Sequence, residues 1–166
     1  NTEETLAMYQ QAKERGTHLV ALTSGGELAR LARQDGTPCF SIEYDGEPRS
    51  ALGYSFVVPL AILCRLGLVP DMSTDLAEAT QTVRDMAIAL GPNTPRVQNL
   101  AKDIATILHN RLPIVYGAGF LSSVARRWKT QLNENSKVWS FWEELPEASH
   151  NSVEAFRLHQ TVGDQV

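Results

Sequence analysis

The sequence predicts an α/β protein in which parallel sheets are flanked by helices. Three observations predict it. Short apolar runs alternate with helical patterns along the chain, and strand, helix, strand in that order builds a parallel sheet with right-handed crossovers. Gly-rich turns, Ser24-Gly25-Gly26 and Gly117-Ala118-Gly119, each follow an apolar run and open a helix, as at the carboxyl end of a parallel strand. Apolar residues recur at helical spacing between those runs.

The elements follow in order. Asn1-Thr2-Glu3-Glu4-Thr5 reads as a helix start: Asn1 or Thr2 can cap, and Glu3 and Glu4 suit the positive end of the dipole. Leu6, Tyr9 and Ala12 give that helix a partial apolar face, and Gly16 can end it. His18 to Thr23 reads as a buried parallel strand, Glu27 to Gln34 as a short helix and Pro38 to Ile42 as a second strand. Tyr44 to Arg49 is a loop. Ser50 then opens a long apolar helix to Leu66, with Pro59 as a kink in its interior. After a break from Gly67 to Ser73, Thr74 to Leu90 is an amphipathic helix, which Gly91-Pro92-Asn93-Thr94-Pro95 stops. Pro95 to His109 reads as one more amphipathic helix. Arg111 to Gly117 is a strand, and a helix runs from Gly119 to about Ser136. Lys137 to Phe141 is the next strand, and a last helix, holding Val153 and Phe156, begins near Ser149.

The totals limit the function. At 166 residues the chain can build one good core or two small ones. Apolar content of 43% and charged content of 20% fit a soluble globular protein. A net charge of −4, with no Lys/Arg cluster, argues against a nucleic-acid partner. The longest apolar run, Phe56 to Cys64, is too short to span a bilayer, and no signal peptide or lipidation motif is seen, so a membrane role is not expected. Cys39 and Cys64 lie in apolar surroundings without metal-ligand spacing and read as buried, reduced thiols of a cytoplasmic protein. The chain starts at Asn1 and stops after a helical stretch, so it reads as a piece of a longer protein. Two α/β units are expected, one over roughly the first 65 residues and one from near Thr94, with the helices around Thr74 and Val97 joining them.

Several residues could carry chemistry, and each has a plain structural reading beside the functional one. Thr2 stands where free helix N–H groups and the positive dipole end could bind phosphate, or it is an ordinary N-cap. Gly25, Gly26 and Gly117 could let backbone approach a ligand, or they are tight-turn glycines. Gly117-x-Gly119 has Ser122 where a dinucleotide fingerprint needs its third glycine. Arg49, beside Pro48 and before an apolar helix, could hold an anion or an enediolate oxygen, or it is solvated. Glu134, among Asn133, Asn135 and Ser136 at a helix end, could be a partly desolvated base or a surface residue of a frayed turn. His150 follows Glu134 by sixteen positions, opens the last helix, and has the acidic approach Glu143-Glu144-Leu145-Pro146-Glu147. A carboxylate and an imidazole brought to one pocket can move protons. His18, His109 and His159 read as surface residues.

These motifs, in this order, resemble one family. Asn1-Thr2-Glu3-Glu4-Thr5 is similar to the end of the phosphate loop of sugar isomerase (SIS) domains. Thr23 to Ala29, Pro48-Arg49-x-Ala51-Leu52, Asn133-Glu134-Asn135-x-Lys137 and Glu144-Leu145-Pro146-Glu147-x-x-His150-Asn151 are similar to the bifunctional phosphoglucose/phosphomannose isomerases. The resemblance implies parts of two SIS subdomains, each a three-layer α/β/α sandwich, with the active site between them and at a dimer interface. Residues 1–72 would be the C-terminal part of the first subdomain with a linking helix. Residues 73–166 would be a linking helix and the N-terminal part of the second. It implies interconversion of glucose 6-phosphate, and of mannose 6-phosphate if the second specificity is kept, with fructose 6-phosphate through a cis-enediol. Thr2 would bind the phosphate, Glu134 would move the proton between C1 and C2, and Arg49 would stabilise the enediolate. His150 would assist ring opening, in its own site or the neighbouring subunit's. No metal or organic cofactor is implied. A non-catalytic SIS module that senses a sugar phosphate, and a structural dimerisation fragment, are the competing classes; a pure sensor needs the phosphate loop but no base.

Overall fold

The computed structural model describes residues 2–155. The chain divides into two compact units, 1–69 and 70–166. Both are built from parallel strand pairs and helices, as the α/β expectation requires.

In the first unit, helix α1 (Glu3–Glu14) starts at Thr2, whose extended backbone and side-chain oxygen cap it by accepting from the Thr5 N–H at 3.4 Å. Asn1 lies outside the described residues. Strand β1 (Ala21–Thr23) pairs in parallel with β2 (Cys39–Ser41), Ala21 opposite Cys39 and Thr23 opposite Ser41. Helix α2 (Gly26–Asp35) makes the crossover and ends at Gly36, where φ of 70° reverses the chain. The core is small: Tyr9, Ala21, Leu28 and Ala32, edged by Leu6, Leu19 and Leu31. The Tyr9 hydroxyl, at the rim of that core, donates to Asp35 at 3.1 Å and shares a 2.9 Å hydrogen bond with Thr37. After a 3₁₀ turn (Pro48–Ser50), helix α3 (Leu52–Arg65) passes through Pro59.

One expectation for this unit is corrected. Cys39 is exposed and Cys64 half-buried, so neither thiol is in a core. The reason for Cys39 is that all three residues of β2 are exposed. Helix α3 is apolar, as its sequence predicts, but buries no residue; Leu52, Phe56 and Leu63 stay exposed. Its inner side meets Val20, Pro38 and Phe40 across a largely apolar cleft.

In the second unit, helix α4 (Ser73–Ala89) is followed by a turn, a 3₁₀ turn (Arg96–Gln98) and helix α5 (Leu100–Leu108). The expected single helix from Pro95 to His109 is broken at Asn99, whose backbone is extended. Asn99 is 1% exposed, and both ends of its amide are used. Its oxygen accepts from the Lys102 N–H at 3.1 Å, and its nitrogen donates to the Gly91 carbonyl at 3.0 Å. A side chain that caps α5 and ties down the preceding turn outweighs the helical pattern there.

Strand β3 (Ile114–Ala118) pairs in parallel with β4 (Phe141–Leu145), Ile114 opposite Phe141 and Ala118 opposite Leu145, and α6 (Leu121–Asn135) makes the crossover. The second strand lies four positions beyond its expected start, which was Lys137. Lys137 has φ of 56°, which reverses the chain and cannot belong to a strand. Helix α7 (Glu147–His150) follows the cis Leu145–Pro146 bond, and α8 (Ser152–Ala155) closes the described chain. His150 therefore ends a short helix rather than opening one. Glu143 and Glu144 are strand residues, not a turn. Phe156 and His159 lie outside the described residues. No helix among the described residues is long and apolar enough to cross a membrane.

Candidate active site

In each unit the parallel pair defines two edges, and the position of every candidate follows from chain direction. In the first unit the chain leaves β1 at Thr23 and β2 at Ser41, on the same level of the ladder. The Ser24–Gly26 turn and the loop leading to Arg49 thus start from one carboxyl edge. Helix α1 returns to the amino end of β1, where Lys13 and Tyr9 reach Asp35 at the end of α2. The Gly25-Gly26 turn and the loop that leads to Arg49 therefore leave the sheet from the same edge.

The local chemistry of each is specific. The backbone of Gly25, at φ 131° and ψ −149°, is open only to glycine, and Gly26 follows at φ 70°. The Thr23 hydroxyl fixes this turn: it donates to the Gly25 carbonyl at 2.9 Å and accepts from the Gly25 N–H at 3.2 Å. Arg49 is half-buried and pairs with the exposed Glu47 at 3.3 Å. At Thr2 the helix terminus is already occupied from within. Backbone N–H first, then the Thr2 hydroxyl, hold the Glu4 carboxylate below its ordinary range. A phosphate bound there would compete with that carboxylate.

In the second unit, Gly117 packs beneath the start of α6. A Cβ there would stand 2.5 Å from the Leu121 carbonyl oxygen and 2.8 Å from the Ala125 Cβ. Gly117 is therefore a close-packing glycine, which brings α6 down onto β3. Tyr116, facing Glu143 across the ladder, has its phenol pushed up, first by burial and then by that carboxylate.

Glu134 and His150 do not share an edge. Helix α6 starts at the carboxyl edge of β3 and runs back, so Glu134 in its last turn lies at the amino edge, beside the entry to β4. His150 follows the far end of β4. Strands of five residues separate those edges by roughly 13 Å at the usual rise. A single pocket formed by Glu134 and His150 of one unit is thereby corrected. Both side chains are also exposed, so the partial desolvation expected for Glu134 is absent. A largely apolar cleft between α5 and α6, lined by Ile104, Leu108, Trp128, Leu132 and Val138, lies next to the Glu134 turn.

The structure adds residues that sequence reading passed over. Ser140 is fully buried; its N–H donates to the Asn133 side-chain oxygen at 3.2 Å. Its hydroxyl donates to the same oxygen at 2.6 Å and to the Lys129 carbonyl at 3.0 Å. Lys137 turns its ammonium back onto the Glu134 carbonyl at 2.6 Å. The only sequence signal for this cluster was Asn133 and Ser140 flanking a helix end. Among the described residues no group of three or more His, Cys, Asp or Glu side chains is arranged to hold a metal ion.

Comparison with known proteins gives these placements a context. Residues 97–166 match the model of the bacterial phospho-glucose isomerase C-terminal SIS domain. A bifunctional phosphoglucose/phosphomannose isomerase of Caldicellulosiruptor bescii is 39% identical over 92% of this chain and 45% of its own length. One from Aquifex aeolicus is 31% identical over 92% of this chain and 44% of its own. A D-glucosamine-6-phosphate 4-epimerase of Sulfolobus acidocaldarius is 31% identical over 96% of this chain and 49% of its own. The chain thus spans about half the length of the curated relatives it matches. The chain is thus similar along most of its length to the SIS-domain bifunctional phosphoglucose/phosphomannose isomerases, and its parallel strand pairs and crossover helices agree with that likeness.

Proposed function

We propose that the protein carrying this sequence is an aldose–ketose isomerase that interconverts glucose 6-phosphate, and mannose 6-phosphate, with fructose 6-phosphate through a cis-enediol intermediate. The observation that carries this reading is the 39% identity to an isomerase over nearly the whole chain; the departure of the Gly25-Gly26 turn and of the Arg49 loop from one strand edge supports it. A phosphate held at that edge would fix the open sugar by its non-reacting end. Arg49 would stabilise charge on the enediolate oxygen. Glu134 would carry the proton between C1 and C2, and its exposure here leaves it free to meet a substrate presented from elsewhere. His150 would open the ring, and Gly117 would shape the second unit's carboxyl edge.

Because Glu134 and His150 stand at opposite edges, they serve different active sites in this proposal. A homodimer sharing its sites satisfies that, and the exposed apolar faces of α3, α4 and α5 supply surface for burial. The two units would be parts of the first and second SIS subdomains, in a cytoplasmic enzyme needing no metal or organic cofactor.

A second reading has its own support. The 4-epimerase relative is as similar as the Aquifex isomerase, so a sugar-phosphate epimerase is the competitor. A non-catalytic sugar-phosphate sensor is the third. One experiment separates them. The full-length protein is incubated with fructose 6-phosphate in deuterated water, and the aldose product is examined for deuterium at C2. The isomerase reading expects deuterium there, and its loss by at least about 100-fold in Glu134→Gln. No exchange by the wild type refutes it, and epimerisation of glucosamine 6-phosphate would replace it with the second reading.

A further inference from the structure

We infer that Asn133 and Ser140 form a positioning pair that aims Glu134; the inference rests on the proposed isomerase reading. Three observations carry it. Asn133 precedes Glu134 in the last turn of α6, and its side-chain oxygen accepts two hydrogen bonds from Ser140, the residue before β4. The Ser140 N–H can only donate, which fixes the Asn133 atom facing it as the carbonyl oxygen. Ser140 is wholly buried, and its hydroxyl proton is shared with the Lys129 carbonyl one turn back, so the clamp is anchored in the body of the helix.

The effect is to pin both ends of the reversal that carries Glu134. The Leu132 carbonyl accepts from the Ser136 and Val138 N–H groups at 3.2 and 3.3 Å, and Lys137 turns the chain at φ 56°. Hydrogen bonds of the main chain alone end at Val138; the Asn133–Ser140 contacts tie the turn to the start of the strand. An exposed glutamate has no side-chain packing to hold it. Its direction is set by the backbone beneath it, and displacement of a reacting group by about 1 Å can cost on the order of 100-fold in rate. Asn133 and Ser140 touch no reacting atom in this scheme.

The test is the C2 deuterium-exchange rate of the full-length protein, with native circular dichroism confirmed for every variant. Asn133→Ala is expected to lower kcat by roughly 10- to 100-fold with KM changed less than about 2-fold, since the phosphate anchor is untouched. Asn133→Asp keeps an oxygen that accepts both bonds and should restore kcat to within about 3-fold of wild type. In a Glu134→Gln background, Asn133→Ala should have no further effect, because it acts through Glu134. Ser140→Ala, which removes the hydroxyl contact alone, should fall between wild type and Asn133→Ala. A wild type that exchanges while Asn133→Ala matches it overturns the inference alone. So does a full additive loss in the Glu134→Gln background, which would mark a merely structural role. A wild type that exchanges nothing overturns the isomerase reading and this inference with it.

Discussion

Replacing Gly117 by alanine should destabilise the second unit through a contact that cannot yield cheaply. The added Cβ would lie 2.5 Å from the Leu121 carbonyl oxygen and 2.8 Å from the Ala125 Cβ. Ordinary contact begins near 3.4 Å, and the first obstacle is backbone, so rotamer change cannot relieve it. The start of α6 must lift from β3 by nearly the full overlap. Overpacking of this kind costs about 1–3 kcal/mol, and the entropy gained on replacing glycine offsets about 0.4–1 kcal/mol of it. A net loss of about 1–2 kcal/mol corresponds to a fall in Tm of roughly 5–15 °C for a unit of this size. Tryptophan fluorescence during thermal or urea unfolding reads this unit selectively, because all three tryptophans, Trp128, Trp139 and Trp142, follow Pro70. Gly53→Ala is the control: a Cβ there meets nothing within 4 Å, and it lies in the first unit. A Gly117→Ala midpoint equal to wild type would refute the close-packing account of this glycine.

Other outcomes follow from the same structure. Asn99→Ala should cost about 1–3 kcal/mol by urea unfolding, because it removes the α5 cap and the partner of the Gly91 carbonyl together. The Asp35 carboxyl is held below its ordinary value first by the Lys13 hydrogen bond and, after the opposing effect of burial, by Tyr9. A depressed folded value means that its stabilisation is complete above the unfolded value and is lost as pH falls through the folded one. Asp35→Asn should therefore lower Tm at pH 7 and narrow the gap to wild type below about pH 4, measured by circular dichroism. An equal gap at all pH values would exclude the ion pair as its source. Thiol reagents should modify Cys39 well before Cys64, by mass spectrometry of partially labelled protein, since Cys39 is exposed and Cys64 half-buried.

Local rules were enough for much of the chain. The threonine cap, the Gly36 stop and the apolar spacing of α2 and α6 are written in neighbouring residues, so those helices could be read directly. The strand-helix-strand alternation likewise determined parallel pairing, because no short connection can reverse a crossover. The family resemblance was legible for the same reason: its motifs are contiguous runs. What the sequence could not decide depended on partners distant along the chain. The break at Asn99 needs the Gly91 carbonyl eight positions earlier, and the late start of β4 needs Ser140 to reach back to Asn133 and Lys129. The exposure of α3 could not be read from its composition, because apolar spacing says which side seeks cover and not whether cover is present. Glu134 and His150 are the sharpest case. Their sixteen-residue separation suggests neighbours, yet those residues form a turn and then β4, which carries the chain from one edge of the sheet to the other. Spacing along the chain counts residues, whereas direction through the fold decides which end of a sheet each residue reaches.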